Sequence, residues 1–188
     1  MKRAPALALL TSLALAACGG GDDDTSTYRV PSTAMAPTLS LNEVVEVDES
    51  AYEDDAPEVG DVVVLRPPTG AFAELGQQCG SEPENAALRR LCDEPTPGLA
   101  TRRFISRVVA LPGDRIGVRD GKVTRNGREE REPYARGCRR VEGCTFPTEI
   151  RVPDGHFYVM GDNREAADDS RFWGPVPRDA LIGRVKTD

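Results

Sequence analysis

Few side chains in this 188-residue sequence could act as a general base at neutral pH. Beyond the first three residues, the lysines are Lys122, which lies in an Asp-Gly turn and is expected to be exposed, and Lys186, close to the C-terminal end. The single histidine, His156, follows a Pro-Asp-Gly turn, and we interpret it as structural or exposed, although histidine side chains titrate near neutrality. Arginines stay protonated and cannot serve as bases. The sequence therefore offers little to activate a hydroxyl for nucleophilic attack.

Metal-binding patterns are also weak. Asp162, Asp168 and Asp169 lie close together, but the alternating oxygen ligands and the terminal glutamate of a calcium loop are absent. The cysteines form no C-x₂-C pair and His156 stands alone, which argues against a zinc site. We expect neither a metal nor another cofactor.

The composition indicates one domain rich in turns and short strands. The chain has a formal net charge of −7, and its 39% hydrophobic residues are enough to bury a core. Its 18 glycines and 15 prolines argue against a helical bundle or a coiled coil. Because phosphate contacts need a surplus of clustered Lys and Arg, we expect no nucleic-acid partner.

The N-terminal residues predict export followed by attachment to a membrane. Residues 1–17 have basic residues and then an apolar run, the order of an export signal, and the run is too short for a transmembrane helix. Leu15–Cys18 resembles the lipobox of bacterial lipoproteins. That resemblance implies cleavage before Cys18, lipid attachment to its sulfur and a location in the cell envelope. Residues 18–27 are then predicted to be the lipidated cysteine and a flexible tether, whereas the competing interpretation is an ordinary signal peptide.

The four remaining cysteines are expected to form disulfides, because an exported chain leaves the reducing cytoplasm. Of the connectivities that four cysteines allow, nearest-neighbour pairing predicts Cys79–Cys92 and Cys138–Cys144. Each pair lies in a predicted insertion loop, near 67–102 and 128–147. A short helix is predicted from Pro83 to Leu91 in the first loop.

The rest of the chain shows alternating or continuous runs of β-forming residues. Asp120-Gly121 predicts a tight hairpin, because this pair tolerates the positive φ angles of a two-residue turn. We predict a mostly β, antiparallel domain over residues 28–186 with long disulfide-stapled loops and little helix. The predicted strands are Glu43–Val47, Asp61–Leu65, Phe104–Ala110, Arg115–Arg119, Lys122–Arg125, Glu149–Val152, Phe157–Met160 and Leu181–Val185.

Three segments carry a family resemblance. Val30–Leu39 reads VPSTAMAPTL, Arg107–Asp114 reads RVVALPGD, and Gly161–Arg164, reading GDNR, is followed by Asp169–Gly174, reading DSRFWG. Together and in this order they resemble the type I signal peptidases, the S26 family of membrane serine peptidases. The resemblance implies the β fold of that family. It also implies that family's activity, the cleavage of export signals from secreted proteins by a serine nucleophile and a lysine base.

The family's reactive positions are substituted in this sequence. The nucleophile of the family precedes the methionine of the first segment, where this chain has Ala34. The lysine precedes the arginine of the second segment, where this chain has Ser106. The serine that orients the lysine lies three residues before the Ser-Arg pair, where this chain has Ala167. Alanine has no attacking atom and a serine hydroxyl has no useful basicity, so all three departures affect the chemistry.

Other positions of the motifs hold suitable residues. Ser32 matches the family's serine that supports the oxyanion, and it is predicted to be an oxyanion helper. In an extended segment Ser32 lies one pleat away from Ala34 and Thr33 points to the opposite face, so neither hydroxyl is expected to replace the nucleophile. Asp169 and Arg171 are predicted to form an ion pair that supports the floor of the site.

Three functions remain open. We expect a membrane-anchored, non-catalytic protein that binds signal-peptide-like or other extended peptides, with signal peptides or an active signal peptidase as its partners. The first alternative is an active S26 serine endopeptidase that cleaves secreted precursors. The second is a structural envelope lipoprotein. The non-catalytic interpretation requires that Ala34, Ser106 and Ala167 converge beneath an open groove.

Overall fold

Antiparallel strands provide nearly all the regular structure. The computed structural model describes residues 25–69, 71, 91–138, 144–146 and 148–187. The strands in these residues are β1 (Thr25–Arg29), β2 (Val44–Asp48), β3 (Val62–Leu65), β4 (Phe104–Ala110), β5 (Arg115–Arg119), β6 (Lys122–Arg125), β7 (Arg128–Glu129), β8 (Ile150–Arg151), β9 (His156–Met160), β10 (Val176–Pro177) and β11 (Leu181–Val185). Helical structure in the same residues is a short helix α1 (Ser170–Trp173) and a 3₁₀ helix at Arg178–Ala180. The predicted fold class is confirmed.

The strands form two sheets in which every pairing is antiparallel. The larger sheet has the order β1-β2-β11-β3-β4-β9-β10, and the smaller has the order β7-β6-β5-β8. A turn with Gly113 in the left-handed region joins β4 of the larger sheet to β5 of the smaller one. Within β4, Arg107 pairs with Met160 of β9, whereas Ser106 pairs with Val63 of β3. Strand β9 therefore ends alongside the middle of β4.

The central strand β3 is buried on both of its faces, with every residue of Val62–Leu65 at most 3% exposed. Because side chains alternate along a strand, Val63 packs into a core that contains Trp173, and Val64 packs into a second core that contains Met35. A third core fills the space between residues of β4 and β5 and so joins the two sheets. The sequence run of Val and Leu reflects this two-sided burial.

The β5–β6 hairpin has the predicted turn. Asp120 and Gly121 both have positive φ angles, 51° and 76°, as a two-residue turn requires. A Cβ on Gly121 would lie 2.7 Å from the backbone nitrogen of Cys138, so the disulfide loop packs directly on this turn. The Cys138–Cys144 disulfide is present, with a Cα–Cα distance of 5.4 Å, which confirms that pairing.

Some predicted boundaries were wrong. Strand β1 begins at Thr25, so residues 25–27, predicted as the end of the tether, pair with β2 instead. An edge strand is held by backbone hydrogen bonds to one neighbour, and its side chains need not be apolar. Strand β7 lies inside the predicted loop 128–147, and the predicted strand Glu149–Val152 is reduced to Ile150–Arg151.

Several predictions fall outside the described residues. They are the signal peptide 1–17, the lipidated Cys18, Cys79, and the helix from Pro83 apart from its last residue. Cys92 is disulfide-bonded, and its pairing with Cys79 stays a prediction. In the described part of the chain, no helix has the length and apolar character needed to cross a membrane.

Candidate functional site

A cleft of about 610 Å³ opens between the segment 30–35 and the beginning of β4. Its volume falls in the range of about 300–1,000 Å³ that is typical of ligand-binding sites. The apolar lining includes Val30, Met35 and Ile105, and the polar lining includes Ser32, Ser106, Arg102, Arg103 and Asp168. This cleft contains two of the three substituted positions.

Ala34 is fixed at the cleft through backbone groups. The Asn163 N–H donates to the Ala34 carbonyl oxygen at 2.9 Å, and the Asn163 Nδ2 donates to the carbonyl oxygen of Thr33 at 3.2 Å. A Cβ added to Gly161 would collide with the Ala34 carbonyl oxygen and with the Ala167 Cβ. The glycine therefore allows Ala34 and Ala167 to approach the same point of the backbone.

Ser106 lies on β4 at the same cleft and is 3% exposed. The positions predicted for the nucleophile and the base thus share one cavity, and Ala167 lies beside it, next to Gly161. Cleft-lining Met35 and Ile105 are the kind of apolar neighbours that would keep a lysine amine neutral at position 106. The arrangement matches the geometry that the non-catalytic interpretation requires, while the roles of these positions stay predictions.

The alternative bases lie elsewhere. The Lys122 Nζ donates to Glu129 at 2.8 Å on the smaller sheet, and the Lys122 side chain is 60% exposed. The Lys186 Nζ donates to the Thr25 hydroxyl, on the β1 edge. His156 is the first residue of β9, at the end of that strand remote from Ser106, with its Nδ1 2.9 Å from the Asp154 carbonyl oxygen. None of these three side chains lines the cleft.

Ser32 is exposed in the cleft, and its Oγ accepts a hydrogen bond from the Ala34 N–H at 3.3 Å. A hydroxyl and a backbone N–H therefore lie together beside position 34. These are the two kinds of donor from which oxyanion sites are built. The predicted helper role of Ser32 fits this placement and stays a prediction, and Thr33 is exposed but does not line the cleft.

An ion pair between Arg107 and Asp162 is buried next to the cleft. The guanidinium donates to both carboxylate oxygens, at 2.9 and 2.7 Å, and also to the Gly60 carbonyl oxygen at 2.7 Å. The Thr38 hydroxyl donates to the same carboxylate. The Tyr134 ring covers the guanidinium at 3.9 Å, and removal of this ring from water raises the pKa of Tyr134 to about 12. This pair connects the middle of β4 to the turn that follows β9.

A second buried pair, Asp169 with Arg171, supports the other wall of the cleft. The Asp169 carboxylate accepts from the Arg171 Nε at 2.8 Å and the Nη2 at 2.9 Å, with both side chains fully buried. It also accepts from the Gly161 N–H at 3.1 Å, while the Arg171 Nη2 donates to the Ala167 carbonyl oxygen at 3.2 Å. The predicted pair is present, and it holds the backbone of two residues that surround Ala34.

Arg164 is a structural residue to which the sequence analysis assigned no role. Its Nη2 donates to Glu132 at 2.6 Å, and its Nη1 donates to the Gly121 carbonyl oxygen. It is 1% exposed and ties the turn after β9 to the smaller sheet. The only signal available was that a basic residue closes the GDNR turn.

Asp168 is the cleft residue that sequence reasoning missed. It lies in the cleft and retains contact with water, but partial removal of its carboxyl group from water raises its pKa to about 7, with a further contribution from the Asp169 charge. From the sequence, Asp168 was considered only as a calcium ligand, and that role was not expected; its neighbours Asp162 and Asp169 each bind an arginine. Among the described residues, no group of side chains has the arrangement of a metal site.

Comparison with known families agrees with this geometry. Residues 6–187 match the family model described as signal peptidase, peptidase S26. The chain belongs to the S26 family. The resemblance found in the sequence is confirmed, and the S26 fold explains why segments distant in sequence converge on one cleft.

The S26 relatives include both bacterial and plant proteins. A probable signal peptidase I-1 from Synechocystis sp. is 35% identical over 156 residues, which cover 83% of this chain and 66% of that protein. Thylakoidal processing peptidase 1, chloroplastic, from Arabidopsis thaliana is 32% identical over 157 residues, covering 82% and 39%. A solved signal peptidase I from Enterococcus faecalis aligns with 70% of this chain and 98% of its own, with a TM-score of 0.46 and 19% identity. The chain spans less than two thirds of the length of these sequence relatives.

Proposed function

We propose that this S26 protein is a lipid-anchored, non-catalytic binder of extended peptides. The proposal rests on the residues at the cleft. Ala34 and Ser106 face one cavity, and Ala167 lies beside it. At these positions the family chemistry needs an attacking hydroxyl, a neutral amine and a hydroxyl that orients the amine.

No hydroxyl in the described part of the cleft is hydrogen-bonded to a base, and this includes the Asp168 carboxyl group, which has no hydrogen bond to Ser32 or Ser106. The basic side chains that line it are Arg102 and Arg103, and a guanidinium does not accept a proton at neutral pH. Ser32 has a hydroxyl, but its hydrogen-bond partner among the described residues is the backbone N–H of Ala34 rather than a base. An unactivated serine hydroxyl is a weak nucleophile, so we expect no useful turnover.

The cleft suits an extended peptide because one of its walls is a strand edge. Within the described residues, Ile105 and Ser106 pair with β3 on one side, and β9 pairs with β4 only from Arg107 onward. On the side of Ile105 and Ser106 that faces away from β3, the cleft lies where a neighbouring strand would otherwise pair. A peptide that adds to a sheet edge gains affinity from backbone hydrogen bonds, and pockets for alternate side chains give it specificity.

The proposed anchor would hold the cleft near a membrane. Between Cys18 and Thr25, where β1 begins, the fully extended chain reaches at most about 25 Å. A lipidated Cys18 would therefore keep the sheet close to a membrane from which signal-peptide-like segments emerge. Labelling of the full-length chain with a radioactive fatty acid, compared with a Cys18→Ala variant, tests the anchor separately from peptide binding.

Peptide binding and turnover are tested together on the full-length protein. We expect a fluorescent peptide with an Ala-x-Ala site to bind in the micromolar range by anisotropy, and to be recovered intact by mass spectrometry after long incubation. Competition by an unlabelled peptide but not by its scrambled proline-rich version controls for specificity. Absence of binding at high micromolar concentration would contradict the proposal and favour a structural envelope lipoprotein.

The names of the relatives favour an active peptidase as the second candidate function. Cleavage at the Ala-x-Ala site would support that candidate. If cleavage occurs, a Ser32→Ala, Thr33→Ala double variant tests whether either hydroxyl beside Ala34 is responsible. Turnover that survives this double substitution would exclude both hydroxyls and would leave Ser106 or a contaminating enzyme as its source.

A further inference from the structure

Asp168 is the one carboxylate among the described residues that line the cleft. The other lining residues there are apolar, or are hydroxyl-bearing, or are Arg102 and Arg103. Arg103 contacts Tyr28. Its Nη1 donates to the Tyr28 hydroxyl at 2.9 Å, and its guanidinium lies 4.9 Å from the Tyr28 ring. Asp168 is therefore the single acidic side chain in the described lining of the cleft, which also carries the positive charges of Arg102 and Arg103.

The Asp168 carboxylate takes no part in the two buried ion pairs beside the cleft. Asp162 and Asp169 accept bidentate hydrogen bonds from Arg107 and Arg171, whereas Asp168 forms no ion pair with the described residues. Asp168 also keeps contact with water, unlike its fully buried neighbour Asp169. A carboxylate that lines a cleft and forms no ion pair with the described residues favours a ligand that brings a cation.

We propose that Asp168 makes the cleft selective for an extended peptide with a Lys or Arg side chain at the position that faces Asp168. This inference rests on the proposed peptide-binding function and adds a specificity determinant to it. A basic side chain would place its charged end at the carboxylate and its methylene groups along the apolar lining of the cleft.

The surroundings of Asp168 make the recognition dependent on pH. Loss of water and then the Asp169 charge raise the pKa of Asp168, while the Trp173 indole and the Arg171 guanidinium lower it, and the result is a pKa of about 7. Arg171 is committed to Asp169, and the other charged groups of the cleft are Arg102 and Arg103. Around neutral pH the carboxyl group is therefore near half-protonated before any ligand binds.

Two kinds of peptide then have opposite pH dependence. A lysine beside Asp168 stabilises the carboxylate, so the complex releases a proton and the affinity rises with pH. A norleucine at the same place removes the carboxylate from water without neutralising it, so the complex takes up a proton and the affinity falls with pH. A nonspecific effect of pH on the fold would change both affinities in the same direction.

The test uses alanine-rich extended peptides in which one lysine, or one norleucine, is moved along the sequence. Binding to the full-length protein is measured at about pH 6 and pH 8. We expect one lysine position to bind roughly fivefold more tightly at the higher pH, the size of an ion pair that keeps some water contact. The norleucine peptide at that position should show the reverse order. Asp168→Asn should abolish both dependences, whereas Glu165→Gln, an exposed neighbour outside the cleft, should preserve them.

Calorimetry in buffers of different ionisation enthalpy gives a second readout that needs no variant. The wild-type protein should release protons on binding the lysine peptide and take up protons on binding the norleucine peptide. If peptides bind but lysine gives no advantage at any position, or the advantage survives Asp168→Asn, the inference is wrong and the peptide-binding function stands. If no peptide binds under any of these conditions, the proposed function fails, and this inference fails with it.

Discussion

The positions that line the cleft and the ion pairs that support it differ sharply in chemical content. Ala34, Ser106 and Ala167 are small and uncharged, and they offer neither a base nor an attacking group at the family's nucleophile position. Directly beside them, Asp162 and Asp169 are fully buried, and arginines neutralise both of them. A well-formed ionic scaffold therefore lies beside three small, uncharged residues, and such a scaffold is not by itself evidence of activity or of its absence.

The support is complete without any help from the reactive positions. Each buried carboxylate receives two guanidinium hydrogen bonds and at least one further hydrogen bond, from the Thr38 hydroxyl in one case and the Gly161 N–H in the other. Buried charges are tolerated only when their hydrogen-bonding capacity is filled in this way. Substitutions in these two ion pairs are therefore expected to reduce the free energy of unfolding strongly, and substitutions at the cleft positions are expected to reduce it little.

The largest effect is expected from Arg171→Met. It leaves the Asp169 carboxylate buried without its cation, so we expect a loss of about 3–5 kcal/mol in the free energy of unfolding, measured by urea denaturation. The control is Arg184→Met on β11, an exposed arginine whose replacement should change stability little. A loss below 1 kcal/mol for Arg171→Met would contradict the view that this pair holds the cleft wall.

A somewhat smaller loss is expected from Arg107→Met, about 2–4 kcal/mol, because the Arg107 side chain is 9% exposed whereas that of Arg171 is fully buried. Arg103→Met is a matched control, since Arg103 also stacks on a tyrosine but at an exposed position. We expect the control to lose no more than about 1 kcal/mol. Equal losses for the two arginines in urea denaturation would show that burial of the Arg107 pair adds nothing.

Asp168→Asn should change the pH dependence of stability. Folding raises the pKa of Asp168 to about 7, so the unfolded chain gives up this proton first, and the wild-type fold loses stability as the pH rises from about 4 to about 7. The asparagine variant lacks this pH-dependent loss of stability. Its melting temperature should therefore be higher than that of the wild type at pH 8 but not at pH 4. Glu165→Gln is the control for removal of a charge, and an equal gain at both pH values would argue against the raised pKa.

The smallest effect is expected from Ala34→Ser. Ala34 is half-buried at the edge of a cavity, and a hydroxyl there has room and access to water. We expect a change within about 0.5 kcal/mol in the same urea experiment. A large loss would mean that position 34 is part of the packed scaffold, and the contrast between cleft and support would fail at that residue.

The sequence predicted the strands that contribute apolar side chains to a core. Phe104–Ala110, Arg115–Arg119, Lys122–Arg125 and Leu181–Val185 have the predicted ends, because alternation and turn residues mark them. Strand β1 was missed because Thr25–Arg29 is polar and depends on its backbone pairing with β2. Strand β10 was missed because it has two residues, one of them a proline.

The candidate site was predictable to the extent that it depends on motifs. The three substituted positions and the Asp169–Arg171 pair follow from residue order alone. The place of Asp168 was not predictable, because only the fold shows that its side chain lines the cleft. The motif assigned a partner to Asp169 but gave no role to the adjacent Asp168.

If the cleft is intact and only its reactive groups are missing, restoring those groups should produce a working peptidase. The variant combines Ala34→Ser, Ser106→Lys and Ala167→Ser. A companion adds Asp168→Asn, because the Asp168 carboxylate would favour the charged form of a nearby amine and so oppose its action as a base.

The measurement is cleavage of an Ala-x-Ala precursor, followed by mass spectrometry at equal concentrations of full-length wild type and variants. We predict no cleavage by the wild type, site-specific cleavage by the triple variant, and faster cleavage at neutral pH by the variant with Asp168→Asn. Cleavage by the wild type, or none by folded, peptide-binding variants, would contradict the view that the cleft is intact and lacks only its reactive groups.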